Sequence, residues 1–86
     1  VASYKLLIKP SAAKELEALP RRDRKRIVTK IGALAMDPRP HGSEKLSGEE
    51  KYRLRQGDYR ILYSIEDARA TVTIVRIGHR REVYRH

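Results

Sequence analysis

Tyr52-Arg53-Leu54-Arg55-Gln56-Gly57-Asp58-Tyr59-Arg60-Ile61-Leu62-Tyr63-Ser64-Ile65 is the stretch that decides the fold. Its first four residues alternate strictly, so Tyr52 and Leu54 face one side of a strand and Arg53 and Arg55 the other. Gln56-Gly57-Asp58 is turn chemistry, and Tyr59–Ile65 returns as a second strand. Glu66–Ala70 makes another polar turn, and Thr71–Ile77 is a third apolar run. Three sequential strands joined by short turns pair as an antiparallel meander.

Upstream of Glu44 the period is helical. Tyr4–Lys9 is short and apolar and suits a strand that Pro10 closes. Ser11 stands where a capping hydroxyl belongs, followed by Ala12, Leu16 and Leu19 at helical spacing. Pro20 separates this helix from a second, running from about Arg21 to Met36, whose stripe is Ile27, Val28, Ile31, Leu34 and Ala35. Asp37-Pro38-Arg39-Pro40-His41-Gly42 stops it, and Lys45–Gly48 reads as a short edge strand ending in a turn. The expectation is an α+β fold in a single domain over residues 1–86, a two-layer β-α-α-β(3-4) arrangement. Its helix hairpin is packed on one face of a small, mainly antiparallel sheet. The other face carries Arg53 and Arg55 and stays partly open, since a domain this small buries only about 60% of its unfolded surface.

Twenty lysines and arginines against 11 acidic residues give a net charge of +9. Such a balance points to a polyanion, an acidic protein partner, or both. Lysine is mostly confined to the first 51 residues and arginine dominates after them. The planar fork of arginine matches phosphate oxygens in pairs, which favours nucleic acid or phosphate. There is no cysteine, so disulfides and thiolate metal sites are excluded and a reducing, cytoplasmic setting is expected. No stretch suits a membrane span or a signal peptide, so no membrane role is expected. His41, His79 and His86 are scattered, and no carboxylates cluster at ligand spacing, so neither a metal nor another cofactor is expected. His41, between Pro40 and Gly42, reads as a surface loop residue.

The chemistry gathers in two places. Arg53 and Arg55 share a strand face with Arg60 across a tight turn, and strands about 4.8 Å apart bring such guanidiniums within reach of one phosphate. The segment Arg76–His86 turns at Gly78 and sets out His79, Arg80, Arg81, Tyr84 and Arg85 in close succession. Arginines so grouped can hold a phosphodiester and offset the charge of a five-coordinate transition state. A histidine, with an ordinary pKa near about 6.5, can move a proton at neutral pH. Tyr84 can stack on a base or orient a 2′-hydroxyl. Plainer roles stand beside these: Arg53 and Arg55 as a solvated strand face, His79 as a turn residue, Tyr84 as an apolar anchor. Arg21, Arg22, Arg24, Lys25 and Arg26 oppose the dipole of their helix, which hints at an acidic partner nearby.

Tyr52-Arg53-Leu54-Arg55, Gly57-Asp58-Tyr59-Arg60-Ile61-Leu62-Tyr63 and Arg76-Ile77-Gly78-His79-Arg80-Arg81-Glu82-Val83-Tyr84-Arg85 together resemble the RelE branch of the RelE/ParE toxin superfamily. The resemblance spans nearly the whole chain and implies a sheet in which the first strand lies beside the last. It implies the toxin of a type II toxin–antitoxin system, a metal-independent, ribosome-dependent endoribonuclease. In such enzymes the 2′-hydroxyl of mRNA attacks the adjacent phosphate, leaving a 2′,3′-cyclic phosphate and a 5′-hydroxyl. The implied partners are the ribosome with its message, an acidic antitoxin that wraps the toxin, and, through that complex, operator DNA. By position, Arg60 matches a phosphate-holding arginine, Arg80 one that stabilises the transition state or protonates the leaving oxygen, and Tyr84 a tyrosine that orients the nucleotide. Lys51, Arg53, Arg55, Arg81 and Arg85 would bind RNA around them. Arg53 and Arg55 stand where the best-studied members have two lysines, and arginine is a poor general base. That leaves His79, or Glu50, as the expected base. The alternatives are a ParE-like inhibitor of DNA gyrase, which cleaves nothing, and a decayed toxin that acts in antitoxin and operator binding.

Overall fold

The alternation that begins at Lys51 is realised as a sheet, in a computed structural model that describes residues 3–46 and 51–79. In chain order the elements are β1 (Lys5–Ile8), α1 (Pro10–Glu17), α2 (Arg21–Ala33), β2 (Glu44–Lys45), β3 (Lys51–Gln56), β4 (Tyr59–Glu66) and β5 (Thr71–His79). A single 3₁₀ turn, Asp67–Arg69, joins β4 to β5. The five strands lie in the order β1-β5-β4-β3-β2. β1 runs parallel to β5, from Lys5 opposite Thr71 to Ile8 opposite Ile74, and the remaining pairs are antiparallel. The first strand therefore does lie beside the last.

The two helices cover one face of this sheet. Ala12, Ile27, Ile31 and Leu34 meet Leu54, Ile61, Tyr63, Ile65, Val72, Ile74 and Ile77 in one buried cluster. Val72, Ile74 and Ile77 are spaced by two and then three residues, which a regular strand cannot bury on one side. A bulge resolves this. Tyr63 pairs with Ile74 but its neighbour Leu62 pairs with Arg76, so Val75 is the extra residue. The bulge keeps Ile77 in the core and turns Arg76 and Gly78 to the uncovered face.

Several sequence expectations are corrected at the element ends. Ser11 does not cap α1. Pro10 takes the first helical position and the extended Lys9 precedes it, with no side-chain cap. Proline's fixed φ and missing N–H suit that place, so the helix starts before Ser11 can serve it. α2 stops at Ala33, short of Met36, and continues only as a tightened turn whose N–H groups reach back three residues from Leu34, Ala35 and Met36. Val28 is 50% exposed, because it lies about 100° round the helix from Ile27 and points away from the sheet. Gly78 is not a turn: β5 runs on through His79, with Gly78 opposite Arg60 and His79 opposite Tyr59.

The hairpin from β3 to β4 turns on Gly57 and Asp58 alone. Gly57 has φ +61 and Asp58 is not in the left-handed region, the pattern of a type II′ turn, with glycine first. No helix among the described residues is long and apolar enough to cross a membrane.

Candidate functional site

Register places the arginines. Lys51, Arg53 and Arg55 alternate with buried Tyr52 and Leu54, so all three lie on the sheet face away from the helices. Tyr59 reaches the helix layer, donating its hydroxyl proton to Asp23 Oδ2 on α2 at 3.2 Å. Arg60 therefore points the other way. Arg55 and Arg60 are direct cross-strand partners, and Arg53 stands opposite Leu62. The convergence expected from the two-residue period is present. Like charges directly opposite each other destabilise a sheet, so this pair is maintained against a local cost.

A cavity of about 340 Å³ opens beside them, along the part of β3 that β2 does not flank. Its wall is made by Arg53, Leu54, Arg55 and Arg60, by Glu44 of β2, by Lys30 reaching from α2, and by His41 and Gly42 of the intervening loop. That volume is in the range of small-ligand cavities, roughly 300–1,000 Å³. Glu44 accepts a 2.7 Å bond from Arg53 Nη2. This bond, with the charges of Arg53, Arg55 and Arg60, holds its carboxyl below the usual range. Arg60 Nε is buried with no hydrogen-bond acceptor among the described residues. A buried charged donor lacking an acceptor is costly.

The loop that brings His41 here is tied to the sheet. The buried Tyr63 hydroxyl donates to the Pro38 carbonyl at 2.8 Å. Arg39 forms a fork on Asp67, at 3.2 and 2.8 Å, and its Nε donates to the Tyr52 hydroxyl at 3.1 Å while the guanidinium lies 5.3 Å from the Tyr52 ring centre. The Tyr4 hydroxyl adds a 2.7 Å bond to the same carboxylate. Arg39 first, and then Tyr4, keep the Asp67 carboxyl below its usual range. The Ser43 N–H donates to the Pro40 carbonyl at 3.0 Å, and Gly42 takes φ +94, which closes the turn at His41.

His79 lies elsewhere. Paired with Tyr59, it shares the helix side of the sheet, its ring edge-on to the Tyr59 ring at 6.1 Å. It lines a separate hollow of about 390 Å³ with Glu15, Leu19, Pro20 and Tyr59. Glu15 closes the uncovered edge of β5 there, accepting from the Ile77 N–H at 3.0 Å and from Arg76 Nη2 at 3.2 Å. The sequence-predicted residues Arg53, Arg55 and Arg60 are thus brought together, Lys51 is on the same face, and His79 is not in their cavity. Arg80, Arg81, Tyr84, Arg85 and Glu50 lie outside the described residues.

Sequence reasoning passed over Lys30 and His41. Lys30 was hidden in a helix rich in cations, and nothing in the local pattern tells which one faces the β3 edge. His41 had a usable signal: it sits between Pro40 and Gly42, in a loop too rich in fixed φ angles to wander. Of the basic helix start, Arg24 donates to the Glu17 carbonyl at 3.3 Å, closing the end of α1. Arg22, Lys25, Arg26 and Lys30 line a groove against Gln56, so Lys30 joins that basic helix face to the arginine cavity.

Comparison with known proteins gives a consistent answer. Residues 6–84 match the family described as the ParE toxin of the type II toxin–antitoxin system parDE. Toxin RelG of Mycobacterium tuberculosis is 34% identical over 86 residues, covering 95% of this chain and 97% of that protein. Among solved structures, the toxin–antitoxin complex RelBE2 of Mycobacterium tuberculosis superposes with a TM-score of 0.81 at 31% identity, over 93% of this chain and 94% of that one. The isolated E. coli RelE toxin gives 0.80 at 28% identity, over 95% and 92%.

Proposed function

The chain belongs to the RelE/ParE superfamily as a type II toxin of the RelE kind, and from that premise we propose that it is a ribosome-dependent mRNA endoribonuclease. The observation that supports this most is the opposed pair Arg55 and Arg60, with the buried Arg60 Nε lacking an acceptor among the described residues. In this reading a phosphodiester of the message takes that vacant acceptor role. The 2′-hydroxyl attacks in line, and the guanidiniums of Arg55 and Arg60 offset charge on the non-bridging oxygens as phosphorus becomes five-coordinate. Arg53 and Lys51 extend the positive face along the RNA. Arg80 would stabilise the transition state or protonate the leaving 5′-oxygen, and Tyr84 would orient the nucleotide, with Arg81 and Arg85 adding to the grip.

A basic face of this kind needs a partner that covers it. Several of the similar structures are of toxins in complex with antitoxins, among them one from Mycobacterium tuberculosis and one archaeal. An acidic antitoxin lying over the cavity would neutralise the toxin and, as a complex, reach operator DNA.

The test is direct. Purified protein is incubated with programmed ribosomes and the 5′ ends of the message are mapped. Cuts within the decoding site that end in 5′-hydroxyls are expected, and intact message at stoichiometric protein would overturn the reading. Supercoiling by DNA gyrase is followed in parallel, because the matching family carries the ParE description. Inhibition there with translation untouched would favour the non-cleaving alternative.

A further inference from the structure

We propose that His41 is the group that takes the proton from the attacking 2′-hydroxyl in the arginine cavity. This rests on the endoribonuclease reading and names a residue for the one step that the arginines cannot perform.

Guanidiniums have no lone pair to offer at neutral pH, and a lysine such as Lys30 in the cavity wall is ordinarily a donor without an acceptor. Glu44 is held by Arg53 and kept below the usual carboxylate range, which makes it a weak base. Among the described residues of the wall, that leaves the imidazole of His41 as the side chain type suited to accept a proton near neutrality. His79 fails on position. The neighbour of Arg60 on β5 is Gly78, while His79 packs edge-on against Tyr59 on the helix side, with the sheet between it and the arginines.

His41 is also well held for the task. The Pro38 carbonyl is fixed by Tyr63, and Arg39 is locked to Asp67 and Tyr52. On its other side the Ser43 N–H closes onto the Pro40 carbonyl. The imidazole therefore stands on a short loop anchored before and after it, the kind of support a proton-transfer group needs.

The step balances without a further reactant. The 2′-hydroxyl gives its proton to the imidazole as its oxygen bonds to phosphorus. The bond from phosphorus to the 5′-oxygen breaks, its electron pair leaves with that oxygen, and solvent supplies the proton. The products are a 2′,3′-cyclic phosphate and a 5′-hydroxyl, and the imidazolium returns its proton to solvent. A general base must be unprotonated to accept a proton, so cleavage that depends on an imidazole base rises with pH. The charged groups facing it are Lys30 from α2, Glu44 from β2, Arg53 and Arg55 from β3, and Arg60 from β4.

The experiment is single-turnover cleavage of message on programmed ribosomes by the full chain, followed across pH, for wild type, His41→Ala and His79→Ala. His41→Ala should slow cleavage by roughly 10²-fold, erase the acid limb of the pH profile, and regain rate when imidazole is added. A loosened loop would lower the rate but leave the limb in place, and that result overturns the inference. So does a His41→Ala rate equal to wild type, or loss of the limb in His79→Ala in place of His41→Ala. Wild-type protein that leaves the message intact overturns the endoribonuclease reading itself, which separates that failure from this one.

Discussion

Arg39 and Arg60 are the same residue in two opposite situations. Every part of Arg39 is used by the fold: both Nη atoms on Asp67, Nε on the Tyr52 hydroxyl, and the guanidinium near the Tyr52 ring. Arg60 faces a like charge at Arg55 on one side and the side-chain-free Gly78 on the other, with its Nε buried and lacking an acceptor among the described residues. One arginine is an internal tie, and the other stands where repulsion between like charges on neighbouring strands works against the sheet. Local rules of pairing and satisfaction tend to be broken at functional sites, and here they are broken around Arg60 and kept around Arg39.

The contrast can be tested at four points, the largest effect first. Arg60→Ala should lower mRNA cleavage by at least about 10²-fold, the scale of losing one preorganised transition-state donor, while thermal stability holds or rises. Full activity in that variant would remove the distinction between the two arginines. Tyr63→Phe should act in the opposite sense. It deletes the donor to the buried Pro38 carbonyl and should cost about 1–2 kcal/mol in denaturant unfolding, leaving the arginine face in place. Arg39→Ala should lower the melting temperature modestly, because its bonds to Asp67 are exposed and screened, and salt should shrink the difference.

The smallest effect is expected for Asp67→Asn, and it should depend on pH. The folded Asp67 carboxyl sits below its ordinary value, so its contribution to stability is present above the unfolded pKa and is lost as pH falls through the folded one. The variant should be less stable than wild type at neutral pH, and the gap should close as pH falls from about 4 through the lower folded pKa. Unfolding curves at the two pH values check this, and a gap that persists in acid would mean that Asp67 acts through something other than its charge.

The parts of the fold that were legible in the sequence are those written in local periods. Tyr52 and Leu54 against Arg53 and Arg55 gave β3 its two faces, and Ile27, Ile31 and Leu34 gave α2 its buried stripe. The convergence of Arg53, Arg55 and Arg60 followed from the same alternation and a tight turn, although Gln56 proves to belong to the strand and the turn is Gly57-Asp58 alone. What was not legible depends on partners distant in the chain. The parallel pairing of β1 with β5 leaves no local mark, and only the family resemblance implied it. Gly78 looks like a turn until Arg60 is seen opposite it. His41 becomes interesting only once Tyr63, Tyr52 and Asp67 are known to hold its loop against the arginine strands.

The bulge at Val75 sets a parity for everything that follows it on β5. Were Val75 drawn into the ladder opposite Leu62, the sides of Arg76, Ile77, Gly78 and His79 would be exchanged, putting an arginine under the helices and an isoleucine beside Arg60. A substitution in this strand changes one position, whereas a one-residue slip of its pairing rewrites four addresses at once. What matters at Val75 is that it stays out of the ladder, more than what side chain it carries.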